Sequence, residues 1–261
     1  MKKEKKYIGM ILYIIPMISI SAGVLINYLS VFAGGLFLKE NGQKIEYKKE
    51  KKNIYMAIYL VAICFLLRYM YHIGAVDDGV TIYGYKVLPT YTILIYLIIA
   101  FFFRKKYAYS SKRFDFKRVK KGIIMCGPIM ITYIYKFLLY SQKTSSVGDN
   151  IYEIWSCIFI AAIVEEFYFR GLLYEILKRS MSVIGAQLIT SFIFLVWHFN
   201  VITLFIHNPN TFIIYNMICI FCLGMITCYI YDKTKTIISP IILHAINNGL
   251  IIYTLRIVFR S

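Results

Sequence analysis

Charge is scarce in this chain. Only 16% of its 261 residues are Asp, Glu, Lys or Arg, against about 25% in a soluble domain. Too few polar groups remain to face water on every side. Acidic residues are scarcer still, 13 against 30 basic ones, for a net charge of +17. The positive charge is not spread as a nucleic-acid footprint. It sits in short clusters beside apolar runs, as in cytoplasmic loops facing anionic lipid, so no nucleic-acid partner is expected. The C-x-x-C at Cys219 and Cys222 has no second pair, which leaves a four-cysteine zinc site unsupported. Cys64, Cys126, Cys157 and Cys228 also fall in apolar runs, and all six thiols read as buried small residues. There is no H-E-x-x-H, no evident internal repeat and no low-complexity linker.

What the chain has instead is hydrocarbon. It is 59% hydrophobic, with a mean hydropathy of +0.64. The apolar runs are continuous rather than alternating, which argues against a barrel. A spanning helix needs about 20 apolar residues. Candidates lie at about 7–38, 54–72, 88–103, 122–140, 151–177, 186–206, 211–231 and 237–259. The expected fold is all-α: a polytopic transmembrane helix bundle of about eight membrane helices, in contact with the lipid bilayer. The first run reads as a retained membrane segment, and Pro16, Gly23 and Gly34–Gly35 fit either a tilted broken helix or a tight hairpin. Lys39–Lys52 carries six lysines and Arg104–Lys121 nine basic residues, and Lys178–Arg179 and Lys233 with Lys235 close two later loops. Basic loops stay inside, so these are expected to be cytoplasmic in a multi-pass cell-membrane protein. Tyr and Phe, 24 and 19 in number, suit interfacial belts.

Ionisable groups inside membrane segments are costly and mark function by default. Arg68 and Lys136 are the few in the first half, and Lys136 can snorkel. The segment 151–177 holds Glu165-Glu166-Phe167-Tyr168-Phe169-Arg170. Glu166 and Arg170, four apart, share a helix face and can pair. Glu165 is turned about 100° away and is left for chemistry. A desolvated carboxylate holds a proton more readily than one in water, which suits a general base; the bland alternative is that both acids glue helices together. His198 follows Phe194 by four, and a lone histidine on an apolar helix is commonly a packed core residue. His244 and Asn248 share a face of the last segment, and both can donate to a developing oxyanion, while Asn247 reads as interhelical glue. Glu175 and His207, near helix ends, receive no role. Counted from the basic ends at 1.5 Å per residue, the four groups lie roughly 10–20 Å from the cytoplasmic side. Agreement in depth is what a site requires and what scattered glue does not.

The series E-E-x-x-x-R, F-x-x-x-H and H-x-x-x-N, each on its own membrane segment, resembles the CAAX-processing and bacteriocin-processing (CPBP) intramembrane glutamate proteases. These include the CAAX prenyl protease 2 type and the Abi and lysostaphin-resistance-like proteins. The similarity covers about residues 120–255; residues 1–120 carry no matching motif. The chain thus divides into N-terminal membrane helices, 1–120, and a protease-like core, 121–261, within one integrated membrane domain. The resemblance implies that Glu165 activates water, His198 orients it, His244 and Asn248 hold the oxyanion, and Glu166 and Arg170 support the geometry. It also implies a peptide or protein substrate and no cofactor. A lysine- and isoleucine-rich composition fits a bacterium of low G+C content, where maturation of a small peptide is a better fit than prenylated tails. Three rival readings stand beside this one: a zinc protease using Glu165, His198 and His244 as ligands, a non-catalytic immunity or helper module, and a proton-coupled transporter.

Overall fold

The computed structural model describes residues 29–33, 52–72, 81–82, 85–86, 116–141, 161–198 and 211–260. The expected segment 88–103, most of 7–38, Cys157 and His207 lie outside the described residues. The described elements of secondary structure are helical apart from one two-residue antiparallel pair, β1 (Thr81–Ile82) with β2 (Tyr85–Lys86). The long helices are α1 (Lys52–His72) and α2 (Phe116–Ser141). A continuous helical stretch follows, made of α3 (Ala161–Tyr168), a π-helical segment (Phe169–Tyr174) and α4 (Glu175–Lys178). Then come α5 (Val183–Trp197), α6 (Thr211–Thr234) and α7 (Ile238–Arg260).

Two helices differ from the sequence expectation in their boundaries, each for local reasons. The second helix starts at Phe116 rather than near 122, because the run Lys117-Arg118-Val119-Lys120-Lys121 consists mostly of good helix formers that an apolarity criterion passes over. The helix expected over 186–206 instead begins at Val183 and ends at Trp197. At its start, the Ser182 side chain accepts a hydrogen bond from the Gly185 N–H at 3.1 Å, a side-chain N-cap. At its end, His198 leaves the helical region (φ −85°, ψ 44°), and its N–H bonds to the Leu195 carbonyl three residues back.

The chain forms two compact units. The first comprises Met1–Gln43, Lys112–Ala162 and Met225–Ser261; the second comprises Lys44–Ser111 and Ile163–Gly224. In the first unit α2 packs along α7. The two helices pack tightly at Gly122, since a Cβ there would fall on the Ser239 side chain; small residues of this kind let helix backbones meet in membranes. Met125, Cys126 and Ile129 of α2 are buried, as are Leu243 and Ala245 of α7. The turn from α6 to α7 passes through Lys235 in the left-handed region (φ 54°), a common way to end a helix. It is held by Lys235 Nζ–Asp232 Oδ1 at 2.8 Å and by Arg118 Nη1 donating to the Lys235 carbonyl at 3.4 Å. Residues 29–33 join this unit through Tyr229, whose hydroxyl donates to the Phe32 carbonyl at 3.2 Å. In the second unit α1 packs on α4, and α5 on the π-helical segment, around Phe169, Leu172, Leu173, Ile176 and Phe194.

Outward faces are strongly apolar. Ile58 and Tyr59 on α1, Ile131, Ile134 and Leu138 on α2, and Ile184, Leu188 and Phe192 on α5 are all exposed. The last three recur every four residues and so form one stripe. Among the described residues one helix, Ile213–Thr234, is long and apolar enough to cross a membrane by length and composition, with mean hydropathy 2.1.

Candidate active site

The E-E-x-x-x-R stretch straddles the junction of α3 with the π-helical segment. Glu165 and Glu166 are α-helical, and Arg170 is the second residue of the π-turn. Such turns inside α-helices are frequent at functional sites. Arg170 Nη1 donates to Glu166 Oε1 at 2.9 Å, with both side chains fully buried. Its Nη2 donates to the Gly224 carbonyl of α6 at 3.2 Å. The guanidinium also lies over the Phe194 ring, 4.6 Å from its centre, a cation–π contact strengthened by desolvation. Arg170 therefore ties three helical elements of the second unit together from its interior. A lysine could offer only a point charge here, without the fork that reaches both oxygens.

Gly224 can serve in this network only because it has no side chain. A Cβ there would stand 2.9 Å from Ser191 Cβ and 3.0 Å from Ser191 Cα, and the second of these is backbone that cannot turn aside. Gly224→Val is expected to destabilise the protein by about 1–3 kcal/mol through overpacking and to disturb the Arg170 contact as well. Thermal unfolding in detergent measures this, and an unchanged midpoint would contradict the close α5–α6 approach.

Glu165, on the neighbouring face, is part-buried. Its Oε1 accepts a hydrogen bond from the Trp197 indole Nε1–H at 3.3 Å. The next residue, His198, has its Nδ1 2.9 Å from the Phe194 carbonyl. A carbonyl can only accept, so Nδ1 carries the hydrogen and a neutral ring has its lone pair on Nε2. The imidazole packs edge-on against Phe194, with centroids 4.7 Å apart. Phe194 thus touches both the Arg170 guanidinium and the His198 ring, which gives the phenylalanine of F-x-x-x-H a physical task.

The structure brings Glu166 to Arg170, and Glu165 to the α5 end that carries His198. His244 and Asn248 lie in the first unit, one turn apart on α7. His244 is 2% exposed and Asn247 5% exposed, while Asn248 is half-buried. Glu175, given no role from sequence, is buried and paired with Lys178 at 3.2 Å. Sequence reasoning missed two participants, Trp197 and the Gly224 carbonyl. Trp197 had a usable signal: a buried indole needs an acceptor for its N–H, and this one directly precedes His198. Gly224 had only its small size in an apolar helix. Among the described residues no cluster of three or more His, Cys, Asp or Glu is arranged to hold a metal ion.

Residues 148–250 match the family described as type II CAAX prenyl endopeptidase Rce1-like. This stretch is similar to that family. The matched stretch contains every motif residue, from Glu165 to Asn248, and is where the chain is similar to the CPBP and CAAX protease family. The Rce1-like family is a membrane-embedded protease family, and the buried ion pair and the carboxylate beside Trp197 both lie inside the stretch that matches it. No curated protein and no solved structure matches the chain.

Proposed function

We propose that the chain is a multi-pass intramembrane endopeptidase that hydrolyses a peptide bond with water activated at Glu165. Glu165 takes a proton from the water as its oxygen adds to the substrate carbonyl carbon. His198 orients that water through Nε2. His244 and Asn248 donate to the oxyanion, and collapse of the intermediate breaks the C–N bond while Glu165 returns the proton to the leaving amine. Glu166 and Arg170 hold the helix that presents the base. Residues 121–261 are the protease core in this reading, and the chain's first 120 residues complete the membrane bundle.

The observation that carries the proposal is the division of labour within the glutamate pair, inside the stretch that is similar to the Rce1-like family. One carboxylate is fully buried against Arg170, and its neighbour is part-buried beside an indole N–H and the His198-bearing helix end. Multi-pass membrane insertion is supported by the apolar outward faces of α1, α2 and α5. Soluble proteins rarely expose contiguous apolar surface of this kind, whereas lipid tails cover it without cost. The cytoplasmic side is the expected entry for substrate, because the basic clusters flank that end of the helices. The substrate must be extended at the scissile bond, since a helix ties up its own carbonyls; a small peptide precursor or a membrane-associated tail meets that need.

The zinc reading would use Glu165, His198 and His244 as ligands, and it leaves Asn248 without a task. The experiment that separates the two is cleavage by purified protein in liposomes after exhaustive chelation, with metal analysis of the same sample. Full activity at a metal content far below one per chain is expected. Activity lost on chelation and restored by zinc would overturn the glutamate mechanism while leaving the protease assignment intact.

A further inference from the structure

We propose that Trp197 is a positioning residue for Glu165, its indole N–H fixing the orientation of the carboxylate that acts as base. This rests on the peptidase reading above. The indole is well placed to do it. Trp197 is 8% exposed, and its Nε1–H points at Glu165 Oε1 from 3.3 Å. Two aromatic rings pack against the indole. Phe169 meets it edge-on with centroids 6.2 Å apart, and Phe65 of α1 does the same at 6.1 Å. A rigid aromatic donor loses little entropy in making its hydrogen bond, because its two side-chain torsions are already fixed by packing.

The consequence is geometric. A glutamate has three side-chain torsions, and each directed contact narrows the arc its oxygens can sweep. An error of about 1 Å in the placement of a reacting group can cost roughly 100-fold in rate. The same helix end carries Trp197 and His198 in succession, so a single backbone turn sets the carboxylate orienter and the imidazole together. The π-helical segment contributes from the other side: Phe169, its first residue, packs on both Trp197 and Phe194. It thereby couples the indole to the ring that stands against Arg170 and His198.

Two readouts test this. The first needs no substrate. The chain has two tryptophans, Trp155 and Trp197, so a Trp155→Phe background labelled with ¹⁵N-tryptophan gives one indole N–H resonance, that of Trp197. Glu165→Ala is expected to shift that proton upfield as its acceptor is lost. An unmoved resonance would overturn the contact and with it the proposal. The second readout is kinetic, using a fluorogenic peptide built on the sequence released in wild-type but not Glu165→Gln cells. Trp197→Phe keeps an aromatic ring and removes the donor. It is expected to lower kcat by roughly 10- to 100-fold with KM within about twofold, as for an interaction felt in the transition state. Trp197→His, which restores a ring N–H, is expected to recover part of the loss. A raised KM with unchanged kcat would show that Trp197 only shapes the substrate groove and would overturn the positioning role. Failure of the wild type to cleave any precursor would contradict the peptidase reading instead, and the indole shift reads the Trp197–Glu165 contact in either case.

Discussion

Arg170→Met is expected to destabilise the protein by about 3–5 kcal/mol, the usual cost of breaking a buried ion pair from one side. The Glu166 carboxylate is fully buried against the guanidinium, and removing the cation leaves negative charge in a low-dielectric interior. The Gly224 carbonyl loses its Arg170 donor at the same time, as does the Phe194 face its cation. The double variant Glu166→Gln/Arg170→Met is expected to regain most of the loss, because replacing a whole buried pair with well-packed neutral groups is often close to neutral. Unfolding midpoints of the two singles and the double in one detergent form the required cycle. Strictly additive effects would show that the pair is not coupled. Arg170→Lys should recover only part of the stability, since an ammonium cannot span Glu166 and the Gly224 carbonyl as a planar fork does.

The second large effect is on rate rather than stability. Glu165→Gln is expected to lower peptide cleavage by roughly 10² to 10⁴-fold, the span that general-base catalysis contributes, with little change in unfolding midpoint. The amide keeps the size of the carboxylate and can still accept from the Trp197 indole through its oxygen, but it cannot take a proton from water at neutral pH. Glu166→Gln should behave in the opposite way, losing stability more than intrinsic kcat, because its carboxylate faces Arg170 rather than substrate. Two adjacent glutamates with contrasting phenotypes would be hard to reconcile with both serving as helix glue.

The helices were legible where apolarity sets their limits. The runs at 54–72, 211–231 and 237–259 reappear as Lys52–His72, Thr211–Thr234 and Ile238–Arg260, because a long hydrocarbon stretch between basic residues has few alternatives to helix. The i, i+4 pairing of Glu166 with Arg170 was legible for the same reason, spacing on a helix face. What could not be read depends on single backbone choices. The π-helical segment adds no residue type that marks it in Phe169-Arg170-Gly171-Leu172-Leu173-Tyr174. The end of α5 at Trp197 is set by His198 turning its ring to the Phe194 carbonyl, in the midst of residues that by hydropathy could have continued the helix. Gly224 looks like any small residue of an apolar helix until Ser191 is found against it. Trp197 could have been inferred as a polar participant, since a tryptophan in the interior must place its N–H somewhere, but its partner could not.

Cells carrying the wild-type chain or Glu165→Gln, matched for membrane expression, differ by one carboxylate, and comparison of their released and membrane-bound peptides by mass spectrometry bears directly on whether that group performs hydrolysis. At least one processed peptide present with the wild type and replaced by its uncleaved precursor in the variant is the expected result. Identical peptide profiles would contradict proteolysis at Glu165.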